Sequence, residues 1–246
     1  MGMKLKLTPI LKMLAVTVTV MISIYYINAM LLALPNYETL RMESSWIFAD
    51  LVHVPQFLIP IIIILYITKG RPGHYGFNLK EDPPEFTHRR MLIIGLGSGL
   101  LMSIKYVIQI VNGLPVDVPQ PVTPINIFGY MSFQWIIVGL SEETMFRGLI
   151  QTYLMDNLEG EVKLAGHEFH IGTVIAALFW GGFHIINALN MPLSSAVFTV
   201  VITTPIGLLM GYAYQRTGSL LTTTLVHNML FGVPLMIGYI LHFMGF

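Results

Sequence analysis

Seven apolar runs of about 20 residues or more divide this chain of 246 residues, and most of its charge lies in the stretches between them. A helix of ~20 apolar residues crosses the ~30 Å hydrocarbon core of a bilayer, and inside lipid every backbone polar group must find its partner within the protein. The runs at about 10–34, 46–67, 91–111, 127–150, 171–189, 194–214 and 220–246 therefore read as transmembrane helices. Gly232-Val233-Pro234 either breaks the last run or opens a short eighth one. Pro55 and Pro60 mark kinks in the second, and the stretch 35–45 reads as a loop. The expected fold class is an all-α polytopic transmembrane bundle of about 7–8 spans. It divides into N-terminal helices over 1–126 and a core over 127–246.

Composition agrees. Charged residues make up 11% of the chain and hydrophobic ones 54%, with a mean hydropathy of +0.70, whereas soluble domains carry roughly a quarter charged residues. A net charge of zero excludes nucleic acid as the expected partner, leaving the lipid bilayer. The absence of cysteine removes disulfides, thiolate nucleophiles and Cys-ligated zinc from consideration.

Basic residues orient the bundle. With the N-terminus inside, the inner stretches hold Lys4, Lys6, Lys69, Arg71, Lys80, Arg89, Arg90, Lys163 and Arg216, and the outer ones hold only Arg41. Lysine and arginine concentrate on the cytoplasmic side, so the expected location is a cell membrane with the N-terminus in the cytoplasm.

Ser141-Glu142-Glu143-Thr144-Met145-Phe146-Arg147-Gly148 then stands out, because two carboxylates and a guanidinium interrupt the fourth span. Charges at membrane depth are costly; they pair or face a polar cavity, and they mark function. Glu143 and Arg147 are four apart on one helical face and suit a salt bridge. Glu142 is rotated by about 100°, free for other work. Two carboxylates against one arginine leave one negative charge over, which suits a general base or a bound cation. At 1.5 Å per residue Glu142 lies about 12 Å from the inner end of its span, with His184 and His227 within a turn or two of the same depth. Gly181-Gly182 beside His184 permits close approach of another backbone or a substrate, and Asn187 can share the histidine's face. A glutamate and two histidines can bind Zn²⁺ or another divalent metal with a position open to water, making Glu142, His184 and His227 the candidate ligands; the same groups can also act without metal, Glu142 activating water directly. Asp50 and His53 read as an interfacial pair near the outer end of the second span. His167-Glu168-Phe169-His170 reads as solvated loop.

Glu142-Glu143-x-x-x-Arg147, Trp180-x-x-x-His184, Thr217-Gly218-Ser219 and His227, with Gly207-x-x-x-Gly211 and His74-Tyr75-Gly76-Phe77-Asn78-Leu79, together resemble the CAAX prenyl protease and bacteriocin-processing (CPBP, or Abi) family of intramembrane proteases over about residues 127–232. The resemblance implies a cavity open to the cytoplasm and peptide-bond hydrolysis on peptides or lipidated tails arriving from that side, in a prokaryotic membrane. It implies that Glu142 activates water, that Glu143 is held by Arg147, and that His184 and His227 complete the site. Two positions depart from the pattern. Trp180 stands where a Phe is usual, and Phe231 stands where an Asn is usual, one turn after His227. Asn187 is the expected substitute for that amide, since Asn228 points about 100° away from the required face. The alternatives are an inactive scaffold or bacteriocin-immunity protein, and a transporter, which the lack of inverted repeats disfavours.

Overall fold

In the computed structural model, which describes residues 6–81 and 83–246, the chain is a helical bundle with six helices long and apolar enough to cross a membrane. Lys4, counted above among the inner basic residues, lies outside the described residues. α1 (Leu7–Leu32) shows why these helices need lipid. Met13, Thr17, Val20 and Ile24 form one buried stripe, while Leu11, Leu14, Val18 and Ile22 on the other side stay exposed. A helix apolar all round, with only one stripe covered by protein, must have its remaining faces covered by lipid.

α2 (Tyr37–Ile67) joins two helical pieces: a short one over the stretch at 35–45 read as loop, and a long one that starts near the expected 46. Its irregular point is Ser44 (φ −152°, ψ 46°); Pro55 and Pro60 lie within the helical run, buried where neighbours cover them. α3 (His88–Met102) and α4 (Ile104–Val111) form the third crossing, bent at Ser103. α8 (Ile171–Phe183) continues as a tighter turn over His184–Leu189, followed by α9 (Leu193–Thr217). α10 (Leu220–Phe243) runs unbroken through Pro234, so the alternative of an eighth span beginning near Gly232 falls away.

The helix carrying the acidic motif is the central one. It runs over residues 124–157 as α5 (Pro124–Ser132), a widened stretch Phe133–Ile137, α6 (Val138–Glu143), a second widened stretch Thr144–Gln151, and α7 (Thr152–Asn157). The widened stretches have five-residue hydrogen-bond spacing, a geometry that occurs mostly at functional sites. Every residue from 143 to 152 is buried. Met145, Phe146, Leu149 and Ile150, all fully buried, make the hydrophobic core around which α1, α2 and α8 gather.

Glycines set the closest helix contacts. A Cβ on Gly181 would collide with Thr204 Oγ1, and one on Gly207 would collide with Trp180 Cε3, so α8 and α9 pack at a separation that only a missing side chain permits. His74-Tyr75-Gly76-Phe77-Asn78 docks on the turn before α10. Leu220 N–H donates to Gly76 O at 2.9 Å, Asn78 Nδ2 donates to Gly218 O at 2.7 Å, and Ser219 Oγ donates to Asn78 O at 3.0 Å. The polar stretch 151–170 is not all loop. It holds an antiparallel hairpin, β1 (Glu161–Leu164) with β2 (His167–His170), closed by Ala165 and Gly166 at φ 50° and 83°. Two consecutive positive φ values match the strand twist of a two-residue hairpin.

Candidate active site

Glu143, Arg147 and His227 lie at the centre of the bundle, at 0%, 1% and 1% exposure. Arg147 Nε sits 3.2 Å from Glu143 Oε2, the expected pair four residues apart. The guanidinium also donates from Nη2 to Gly207 O at 3.4 Å and lies 4.7 Å from the centre of a Trp180 ring. Glu143 has a second task that the sequence reading did not give it, for its Oε1 accepts from His227 Nδ1 at 2.9 Å. One carboxylate thus neutralises a buried cation and fixes an imidazole, as buried charges require.

Glu142 faces the other way. Its side chain keeps 12% exposure, and it stands at the floor of a cavity of about 400 Å³. Trp180 Nε1 donates to Glu142 Oε2 at 2.6 Å, which a Phe at this position could not do; the indole is a working member of the site, not merely a retained aromatic. His227 Nε2 lies 4.0 Å from the same oxygen, and His53 Nε2 lies 3.7 Å from Oε1.

His53 corrects the earlier reading. It sits nine residues beyond the kink at Ser44 and fourteen before the end of α2 at Ile67, and its ring reaches inward to the site. It faces Glu142 and not Asp50, whose buried Oδ1 has no hydrogen-bond partner.

Three imidazoles share one mode of attachment. Each turns Nδ1 to an acceptor: His53 to Ala49 O at 2.7 Å, His184 to Trp180 O at 2.8 Å, and His227 to Glu143 at 2.9 Å. A carbonyl or carboxylate can only accept, so Nδ1 carries the proton and Nε2 is left for the site. His184 lines the same cavity as Glu142 and His53.

Of the auxiliary amides, Asn187 lines the cavity and Asn228 does not. Asn228 Nδ2 donates to Trp135 O at 2.8 Å, and its side chain fills the space that a Cβ on Gly139 would occupy. Trp135 belongs to the first widened stretch, where the altered spacing leaves carbonyls for side chains to claim. Phe231 packs on His227 with ring centres 5.5 Å apart, so an aromatic ring fills the place of the expected amide.

As a metal centre the group does not close. Among the described residues no three His, Asp or Glu side chains are placed to hold a metal ion. The Glu142 oxygen nearest His227 is capped by an indole N–H, a group that repels a cation. The expected ligand trio of Glu142, His184 and His227 is therefore not a ligand set in this geometry.

The walls of the cavity depart from expectation too. They rise from Glu142 along α1, α2 and the His184–Leu189 turn toward Leu31, Tyr37 and Asn190, away from the end that holds most of the basic residues. The expectation was a cavity open to that basic, cytoplasmic end. Depth along a helix fixes the height of Glu142 but not which end is packed shut, and here the buried residues 143–152 fill the basic side.

Bundle and site together define a multi-pass integral membrane protein with a carboxylate–histidine cluster inside the bundle. Residues 124–231 match the family model described as "Type II CAAX prenyl endopeptidase Rce1-like", so that part of the chain is similar to a Rce1-like CAAX-protease domain. No curated protein and no solved structure matches the chain. The matched stretch includes Glu142, Glu143, Arg147, Trp180, His184 and His227, and stops short of α2 and His53.

Proposed function

We propose that this protein is a membrane-embedded endopeptidase in which Glu142 activates the attacking water. The observation that carries the reading is a solvent-reached carboxylate at the floor of a cavity, held by Trp180 and surrounded by imidazoles whose Nε2 atoms are free. The Rce1-like match over 124–231 supports the same reaction class. Site residues are Glu142, Glu143, Arg147, Trp180, His184 and His227, to which His53 is added.

The chemistry follows from the partners. Glu142 takes a proton from water, and the hydroxide adds to the peptide carbonyl carbon. Glu143 accepts Nδ1–H of His227 and so holds that ring with its Nε2 toward Glu142 Oε2, 4.0 Å away, where the water is activated. His184 and His53, pinned through Nδ1, present Nε2 lone pairs that accept from the attacking water and hold it in line with the carbonyl. When the C–N bond breaks, the proton on Glu142 passes to the departing amine and the carboxylate is restored. Arg147 touches no reacting atom; it positions Glu143. Substrates in this reading are membrane-associated peptides, CAAX-type C-terminal tails among them.

A second reading, an inactive scaffold or immunity protein, draws on Phe231, which puts a ring where an amide donor is expected. The two part on one experiment. Glu142→Gln, purified and reconstituted, should match the parent in expression and melting and lose at least about a hundredfold in cleavage of a fluorogenic membrane peptide. Cleavage equal to the parent's would refute the endopeptidase.

A further inference from the structure

The cavity above Glu142 is one-sided. At its floor are Glu142, His53 and Gln56, the last 2% exposed with Nε2 lacking a hydrogen-bond partner. One wall climbs α2 through Ser45 and Arg41 to Tyr37; another climbs from His184 through Asn187 to Asn190. The nine residues from His53 back to Ser44, where α2 kinks, correspond to about 14 Å of helix, and an extended polypeptide covers that with about four residues. The lining residues farthest from Glu142 along their helices, Leu31, Tyr37 and Asn190, stand beside the connections 33–36 and 190–192, where α1 ends and α9 begins, and we take this end as the mouth.

At the opposite end the way to Glu142 is filled. Met145, Phe146, Leu149 and Ile150 are all 0% exposed. The cavity at that end, lined by Lys6, Lys12, Tyr153 and Asp156, does not include Glu142.

Charge tells the two ends apart. Of the 13 lysines and arginines, Lys4 lies outside the described residues and Arg147 is in the core. Nine of the others, from Lys6 and Lys12 through the 68–90 linker to Lys163 and Arg216, flank the filled end. Only Arg41 and Lys105 lie toward the mouth. Short connections rich in lysine and arginine stay in the cytoplasm, and this bias is strongly one-sided.

We propose that the Glu142 site is served from the non-cytoplasmic face of the membrane, and that it takes an extended polypeptide segment presented there, from a secreted or membrane-anchored protein, in preference to cytosolic lipidated tails. The substrate half of this inference rests on the endopeptidase reading; the access half does not.

The lack of native cysteine makes the access half directly measurable. Asn190→Cys places a thiol at the mouth and Glu168→Cys places one on the hairpin at the filled end, both at exposed positions. In intact cells a membrane-impermeant maleimide should label Asn190→Cys, and label Glu168→Cys only after lysis; the reverse pattern overturns the proposal. Impermeant peptide substrate should then be cleaved by right-side-out vesicles and spared by inside-out ones. Cleavage confined to inside-out vesicles defeats the proposal while leaving the endopeptidase standing. If neither vesicle type nor detergent-solubilised protein cleaves, the endopeptidase reading and the substrate half fail, and labelling still decides the access half. Attaching a bulky maleimide at Asn190→Cys should lower cleavage at least about tenfold; an unchanged rate would show that substrate does not pass the mouth.

Discussion

Replacing Glu143 with Gln keeps the size of the side chain and removes the charge on which its surroundings depend. Arg147, 1% exposed, would lose the anion 3.2 Å from its Nε, and His227 Nδ1 would face an amide in place of a carboxylate. What remains for the guanidinium is a carbonyl at 3.4 Å and an aromatic face at 4.7 Å, neither of which neutralises it. Glu142 cannot take over, because its oxygens are turned to Trp180 and His53. Removing one partner of a buried ion pair costs about 3–5 kcal/mol. For a chain of this size each kcal/mol is worth about 2–4 °C, so Glu143→Gln should melt about 6–20 °C below the parent. The double variant Glu143→Gln, Arg147→Met removes both charges and should recover more than half of that loss, since an apolar replacement of a buried pair is often close to neutral. The coupling between the two sites should then be about 2–4 kcal/mol. Thermal unfolding of the parent, both single variants and the double in one detergent measures all of it. A Glu143→Gln protein melting within about 2 °C of the parent, or a double variant no more stable than the single, would refute the reasoning.

Three further outcomes are expected. Trp180→Phe keeps an aromatic ring against Arg147 and His227 and deletes the N–H bound to Glu142; the loss of a hydrogen bond to a charged group, about 1.5–3 kcal/mol, should lower melting by about 3–12 °C, and a fall in kcat of about tenfold or more should accompany it. His53→Ala should lower cleavage about tenfold or more while membrane insertion is retained, and parental rates would return His53 to a packing role. At His170, outside the spans, burial holds the imidazole below its ordinary value, and Nδ1 accepts the Gly172 N–H that starts α8. The unfolded chain therefore takes up the proton first, so this cap stabilises above about pH 6.5 and fades as pH falls; protection against hydrogen exchange over residues 161–172, taken relative to the intrinsic amide rate at each pH, should fall between about pH 7.5 and 5.5 in the parent and not in His170→Asn.

Much of the architecture was legible because lipid imposes a rule that acts on one segment at a time. A helix must be about 20 apolar residues long to cross, whatever its neighbours, so α1, α3–α4, α8, α9 and α10 emerge near their expected bounds. Misreadings gathered where a neighbour decides. Arg41 and Glu43 made 35–45 look like loop, yet they sit on a helical piece that meets the rest of α2 at the Ser44 kink. The hairpin at 161–170 is too short and too polar to declare itself by periodicity, and only its Ala165-Gly166 turn marks it. The Glu143–Arg147 pair was legible because four residues along a helix is a local relation.

By itself the sequence determined that this chain lives in a membrane, and it led to the expectation that Glu142, His184 and His227 stand at similar depth in it. Length and polarity act along the chain, and depth is a property of each helix alone. Only the tertiary structure decided how the helices are rotated about their axes. That rotation brings His53 to Glu142, points the Trp180 N–H at its carboxylate, and turns Asn228 aside to the Trp135 carbonyl. It also fills one end of the bundle and leaves a cavity at the other. The physical reason is local irregularity with long reach: two widened stretches shift the phase of the central helix, and glycines at 139, 181 and 207 admit side chains that any Cβ would exclude.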